Sequence, residues 1–151
     1  MGFFDFVKEA GEKLLGGKKA EAAAKEETQQ ALYDQVMKTG LKVENFAVSF
    51  QDGVATLTGK APSQEEREKI VLAVGNTRGV GRVDDQMTVA KPAPEATLYT
   101  VKSGDSLSKI AKAHYGDASK YNTIFEANKP MLTDPNKIYP GQVLRIPPIN
   151  V

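Results

Sequence analysis

The sequence predicts an α+β protein made of two small domains, and three observations carry this prediction. Residues 1–91 contain an N-terminal helical segment and then patterns in the order helix, strand, strand, helix, strand (α-β-β-α-β), typical of helices packed on one face of a small mixed sheet. Residues 98–151 follow the order strand, helix, helix, strand. Residues 92–97 contain two prolines, so we expect a short, semi-rigid linker there.

The composition is that of a soluble globular protein and excludes several classes of function. Hydrophobic residues make up 40% of the chain and charged residues 26%. The net charge of +1 gives no basis for a nucleic-acid binder that neutralises phosphates, and the lack of cysteine excludes disulfides and thiolate metal sites. No apolar run approaches the roughly 18 residues of a membrane span, and the charged N-terminal segment is unlike a secretory signal. By exclusion we expect a cytoplasmic protein, and we also expect it to be a monomer.

The N-terminal segment predicts a short amphipathic helix. Its apolar side chains recur at helical spacing: Phe3, Phe6, Val7, Ala10 and Leu14. We expect this stripe to dock on the body of the protein. The alternative is a helix that lies on a lipid surface, but the polar face mixes acidic and basic residues, whereas anionic lipid favours a basic face.

A long helix is predicted over residues 18–40, because strong helix formers dominate this stretch. Gly40 stands where a left-handed residue commonly ends a helix. The side chains that the second half is expected to bury are Leu32 and Val36, with Tyr33 and Met37 as further candidates.

A β-hairpin is predicted next. Phe46, Val48 and Phe50 alternate with smaller or polar residues, which is typical of a half-buried strand. Asp52-Gly53 is a strong hairpin signal, and residues 54–58 provide the returning strand.

A glycine-rich loop follows the next predicted helix. Ser63 and Glu66 form a capping-box pattern at the start of that helix, and Gly75 ends it. The loop contains Gly79 and Gly81, and a strand is predicted from Val83 to Val89. Glycines allow unusual backbone conformations, so the loop could turn several carbonyls towards one ion. An ordinary helix-to-strand turn is the alternative, and spacing alone favours it.

The C-terminal part predicts two helices between two strands. A strand over Tyr99–Val101 leads to a helix capped by Asp105 or Ser106 and ended by Gly116. The side chains expected on the inner faces of the two helices are Leu107, Ile110, Ala111 and Tyr115, then Tyr121, Ile124, Phe125 and Asn128. Residues 143–147 form the closing strand.

Two families are identified by resemblance. The stretch GVATLTG, the helix after it and the turn into VDD, within Gln29 to Val89, resemble a BON domain. The stretch YTVKSGDSLSKIAKAHYG, with NKP and IYPGQVLRIP, resembles a LysM domain, which implies a βααβ fold over residues 98–147. A BON domain followed by a LysM domain is similar, along essentially the whole chain, to the cytoplasmic potassium-binding protein family of bacteria.

This resemblance implies a K⁺ site made of backbone carbonyls. The implied ligands are the carbonyl oxygens of Val7, Ala10, Gly75, Thr77, Gly79 and one of Val80 or Arg82. Neutral carbonyls can replace the water shell of K⁺, and a helix C-terminus adds partial negative charge. Arg78 and Arg82 would repel the cation unless they face solvent or pair with acids such as Asp84. The implied role is a K⁺ sensor or buffer in stress response, with the LysM domain responding or stabilising.

The sequence also bears on an enzymatic role and on two other binding functions. Enzymatic activity is not expected, because His114 is the only histidine and no nucleophile or phosphate-loop motif occurs. The LysM resemblance implies binding of N-acetylglucosamine glycans such as peptidoglycan, through two loops. The residues concerned are Gly104, Asp105, Ser106, Leu107, Asn128 and Ile138. Gly104, Asp105 and Asn128 can instead serve the fold as turn and cap residues, which we prefer for a chain without an export signal. Lipid contact through the N-terminal stripe is the other function.

Overall fold

The computed structural model describes residues 2–6, 25–77 and 79–148. The elements of the N-terminal domain are β1 (Gly2–Asp5), α1 (Lys25–Lys38), β2 (Glu44–Gln51), β3 (Val54–Ser63), α2 (Gln64–Gly75), β4 (Arg82–Asp85) and β5 (Thr88–Lys91). Those of the C-terminal domain are β6 (Thr97–Thr100), α3 (Leu107–Tyr115), a 3-10 helix (Ala118–Lys120), α4 (Tyr121–Ala127) and β7 (Val143–Ile146). The predicted α+β class is confirmed.

The N-terminal sheet is mixed and has the order β1-β4-β3-β2. The central strand β3 runs parallel to β4, with Val54 opposite Arg82, and further along it runs parallel to β5. The hairpin partner β2 and the edge strand β1 are both antiparallel to their neighbours. The β2–β3 turn has φ of 51° at Asp52 and 78° at Gly53, the two positive values that a tight hairpin turn needs.

Helices α1 and α2 join the inner side chains of this sheet in one core. Leu32 and Val36 of α1 are fully buried, as predicted, and Gly40 has φ of 76° just after the helix. Of the two further candidates, neither Tyr33 nor Met37 is buried, because each lies one position further round the helix than a buried residue. The Tyr33 ring instead stacks on the ring of Phe46 in β2.

The N-terminal prediction was wrong where the structure describes it. Residues 2–5 form a strand rather than a helix, because β4 offers an edge on which they pair in antiparallel register. Phe3 is 65% exposed, whereas Phe4 and Phe6 pack against the core. The rest of the predicted helix, with Val7, Ala10 and Leu14, lies outside the described residues.

The strand predicted over residues 83–89 is divided into β4 and β5. The break follows from Asp85, a buried carboxylate that accepts hydrogen bonds from Arg67 Nε at 2.8 Å and from the Met87 N–H at 3.0 Å. These bonds turn the chain between the two strands, and the Met87 side chain enters the core.

The C-terminal domain has the predicted βααβ order, with β6 antiparallel to β7. Ser106 is the N-cap of α3 and accepts from the Lys109 N–H, while Gly116 ends α3 with φ of 76°. Most of the predicted inner side chains are buried, but Tyr121 is exposed at the start of α4. Among the described residues, no helix has the length and apolar character to cross a bilayer.

Candidate functional site

The candidate site begins where α2 ends. Gly75 is the last residue of α2, and the Asn76 N–H donates to the Leu72 carbonyl at 2.9 Å before the chain turns away. The last turn of α2 carries no basic residue. The partial negative charge of the helix C-terminus is therefore not offset by a cation of the same turn, which favours a bound cation there.

The N-terminal segment lies against this helix end. The Phe6 N–H donates to the Gly81 carbonyl at 3.0 Å, and the Phe6 ring rests directly over Gly75. A Cβ at position 75 would overlap this ring, so only glycine allows the approach. Val7 and Ala10, the two ligands that the resemblance implies for this segment, lie outside the described residues.

Thr77 is held in place from three directions. Its side chain is fully buried, and its Oγ1 donates to the Ala73 carbonyl at 3.2 Å. The Gln35 side chain of α1 donates to Thr77 Oγ1 at 2.7 Å and to the Ala73 carbonyl at 2.8 Å. The Thr77 carbonyl accepts from the Val80 N–H at 3.0 Å and retains a second lone pair.

The rest of the loop is closed by the hairpin of β2 and β3. The N–H groups of Gly81 and Arg82 both donate to the Gly53 carbonyl, at 2.9 and 3.2 Å. Gly79 is buried and has φ of 102°, a conformation that favours glycine. Within residues 2–6, 25–77 and 79–148, the carbonyls of three predicted ligands receive no hydrogen bond: Gly75, Gly79 and Val80.

The charge of Arg82 is directed away from the loop. Its Nε lies 2.8 Å from Asp5 Oδ1, and its guanidinium stands 5.5 Å from the centre of the exposed Phe3 ring. The expected acid partner, Asp84, accepts instead from the Gln86 side chain. Arg78 lies outside the described residues. The electrostatic objection to a cation site is therefore reduced at position 82.

The described part of the chain contains no group of three or more histidine, aspartate or glutamate side chains arranged as a metal site. The donors that the loop presents are neutral carbonyls. This donor type suits a large monovalent cation better than Ca²⁺ or Mg²⁺, which favour carboxylates.

The same helix end is fastened to the C-terminal domain. The Asn76 side chain donates from Nδ2 to the Val143 carbonyl and accepts at Oδ1 from the Val143 N–H, both at 2.8 Å. Two turns earlier on α2, the buried carboxylate of Glu68 pairs with the buried guanidinium of Arg145, Oε1 to Nη2 at 2.7 Å. The second Glu68 oxygen accepts from the Ala96 N–H at 2.9 Å.

Sequence reasoning missed these interdomain contacts. One signal was present, since the run Ile70–Gly75 is apolar on all sides and all of it is buried. A helix of this kind has neighbours on more than one face. No local pattern indicated the roles of Gln35, Asn76 or Arg145, because their partners lie far along the chain.

In the first of the two predicted glycan loops, the named residues serve the fold of the domain. Gly104 has φ of 88° in the turn before α3. The Asp105 carboxylate accepts from the Tyr99 hydroxyl and from the Lys102 N–H, and these bonds lower the pKa of Asp105 below its ordinary value. Ser106 caps α3, and Leu107 is buried in the domain core.

In the second predicted glycan loop, the first residue, Asn128, also makes its hydrogen bonds within the domain. Asn128 is buried, donates to the carbonyls of Ile124 and Arg145, and accepts from the Arg145 N–H at 2.8 Å. Ile138 is half-buried against the same core. The polar side chains of Asp105 and Asn128 thus hold the domain together.

Comparisons with known proteins agree with this architecture. The BON domain model matches residues 20–91 and the LysM domain model matches residues 99–147. Potassium binding protein Kbp of Escherichia coli O6:H1 is 51% identical over 97% of this chain and 99% of its own length.

Two enzymes match only in part. The endolysin of Bacillus phage B103 is 33% identical over 55% of this chain and 28% of its own length. Esterase Rv1288 of Mycobacterium tuberculosis is 49% identical over 35% of this chain and 11% of its own length. The relative that matches nearly end to end carries the name of a binding protein rather than an enzyme. Because that match spans both domains in the same order, the chain belongs to the Kbp family of potassium-binding proteins.

Proposed function

We propose that this protein binds K⁺ through backbone carbonyls at the end of α2 and in the glycine loop, and acts in the cytoplasm as a K⁺ sensor or buffer. The observation that carries the proposal is the meeting of the N-terminal segment with a loop in which the carbonyls of Gly75, Gly79 and Val80 receive no hydrogen bond from the described residues. The helix end contributes partial negative charge at the same place.

The proposed ligands are the carbonyls of Gly75, Thr77, Gly79 and Val80, with Val7 and Ala10 completing the shell from the N-terminal segment. Between Val80 and Arg82, we favour Val80. Arg82 belongs to β4, which is paired on both edges at that position, so its carbonyl is directed into the sheet. Val80 precedes the strand, and its carbonyl receives no hydrogen bond from the described residues.

K⁺ would then join two segments that are far apart in sequence. Ion binding stabilises only the state in which both are in place, so the folded protein gains stability by mass action. The LysM domain would respond through its contacts with α2, which end at Asn76 beside the proposed ligands.

The proposal is tested by thermal unfolding in KCl and in NaCl at equal ionic strength. K⁺ at about 100 times its dissociation constant is expected to add about 2.7 kcal/mol to the free energy of unfolding. For a chain of this size, the midpoint should rise by several degrees in KCl only. Identical curves in the two salts across the millimolar range would refute K⁺ binding.

A further inference from the structure

Asn76 lies between two proposed ligands, Gly75 and Thr77. Its side chain belongs to the interface between the two domains. The side-chain amide pairs with both backbone groups of Val143, as a residue of an added strand would. Val143 stands opposite Thr100 in the β6–β7 ladder. Its N–H and carbonyl point away from β6 and towards Asn76.

This pairing restrains the backbone next to the ion. An asparagine side chain has only two rotatable bonds, so fixing its amide at both ends also fixes its Cα. The peptide unit that ends at the Asn76 nitrogen contains the Gly75 carbonyl. Its N–H is bound to the Leu72 carbonyl at 2.9 Å, which together with the side-chain pair sets the direction of the Gly75 oxygen.

We propose that Asn76 is a positioning residue for K⁺: paired with Val143 of the C-terminal domain, it holds the Gly75 carbonyl in binding geometry, so that this pair and the bound ion stabilise each other. This inference rests on the proposed function. Coupling of this kind is reciprocal, so K⁺ must strengthen the Asn76–Val143 pair as much as the pair strengthens K⁺ binding.

The central experiment measures the K⁺ dissociation constant of the full chain by calorimetric titration with KCl. Asn76→Ala is expected to raise this constant about tenfold, a typical coupling between two sites. Val143→Pro removes the partner N–H from the other domain without altering any proposed ligand, and should weaken K⁺ binding similarly. The dissociation constant of the double variant should be little higher than that of either single variant, because both changes break the same Asn76–Val143 pair. Asn122→Ala, at an exposed position in α4, is the matched control and should bind as the unsubstituted protein does.

A second readout, amide hydrogen exchange, follows the Asn76–Val143 pair itself. Amide hydrogen exchange at Val143 should slow when KCl replaces NaCl, although this residue is not a ligand. In Asn76→Ala the K⁺-dependent slowing should disappear. Unchanged exchange at Val143 in the K⁺-bound unsubstituted protein would overturn the inference, as would an unchanged dissociation constant for a folded Asn76→Ala. In both cases the proposed function stands. Absence of any K⁺-specific effect in the unsubstituted protein would overturn both.

Discussion

At the scale of single residues, the loop glycines serve different physical needs. Gly79 takes a positive φ, which other residues adopt at a cost. Gly75 is helical, and it is glycine because the Phe6 ring occupies the space of its Cβ. A glycine-rich loop thus signals conformational freedom at one position and close packing at another.

Gly75→Ala is expected to lower the free energy of unfolding by about 1–3 kcal/mol, because the added methyl group collides with the Phe6 ring. The displaced segment would also reduce the K⁺-specific rise in melting temperature. Urea unfolding in NaCl and melting in KCl measure the two effects.

A double variant shows whether crowding is the cause. Gly75→Ala with Phe6→Ala should be less destabilised than the sum of the single variants, because the collision is gone. Gly104→Ala is the control, since it strains a glycine of φ 88° in open space. It should lose stability but keep the K⁺ response. Strict additivity at positions 6 and 75 would contradict the steric explanation.

The sequence predicted residue roles well where the determinants are local. The Asp52-Gly53 turn and the Ser63 cap depend on neighbours within a few positions, and both were confirmed. Only half of the expected capping box forms, because the Glu66 carboxylate accepts from the Lys42 N–H of a preceding loop. The steric role of Gly75 was not predictable, since it depends on a ring from the other end of the domain.

At the scale of secondary structure, β1 shows how tertiary context overrides a short pattern. A segment of four residues has little intrinsic preference for helix or strand. The aromatic residues at positions 3, 4 and 6 fit the helical period and the strand period equally well. The available edge of β4 makes the segment a strand, and no pattern in residues 2–6 indicates that this edge exists. The β2–β3 hairpin and α2 are longer and carry their own start signals, so they were predictable.

Deletion of residues 1–12 is expected to abolish the K⁺-specific rise in melting temperature, because it removes β1, the Phe6 contact and two proposed ligands. The remaining domain should still fold, since β4 stays paired with β3 and the helices keep their core. Circular dichroism and melting in the two salts provide the measurement.

Phe3→Ala is the control for that deletion. The Phe3 side chain is largely exposed and contacts the Arg82 guanidinium rather than the core, so the K⁺ response should survive. A full K⁺-specific rise in the melting temperature of the deletion variant would show that the N-terminal segment supplies no ligand.

At the scale of the whole molecule, α2 is shared by the two domains. One side of it covers the N-terminal sheet, and another meets β7 through the Glu68–Arg145 pair and Asn76. The linker, expected to be a spacer, is itself held at its Ala96 N–H by Glu68. The prolines are the basis for expecting a change of domain there, whereas the interface depends on residues whose partners lie in the other domain.

Arg145→Met is expected to reduce the free energy of unfolding by about 3–5 kcal/mol, because it leaves the Glu68 carboxylate buried without its cation. Glu68→Leu combined with Arg145→Met should recover much of this loss, since it removes both charges. Urea unfolding followed by circular dichroism gives the free energies.

Lys129→Met is the matched control, because Lys129 pairs with Glu126 at the surface and such pairs contribute about 0–1 kcal/mol. Equal stability of the single Arg145→Met variant and the double variant would show that the buried charge is not the source of the loss.

The antiparallel pairing of Gly2–Asp5 with Arg82–Asp85 also bears on the order of folding. Closing so long a loop costs chain entropy, and a short edge strand returns few contacts for it. We therefore expect β1 to join last during folding and to detach first in the native state. During synthesis, the start of the chain must wait until its partner strand has left the ribosome. A cation bound at that seam would act on the least stable cooperative unit of the domain, where a small gain in free energy changes the closed fraction most.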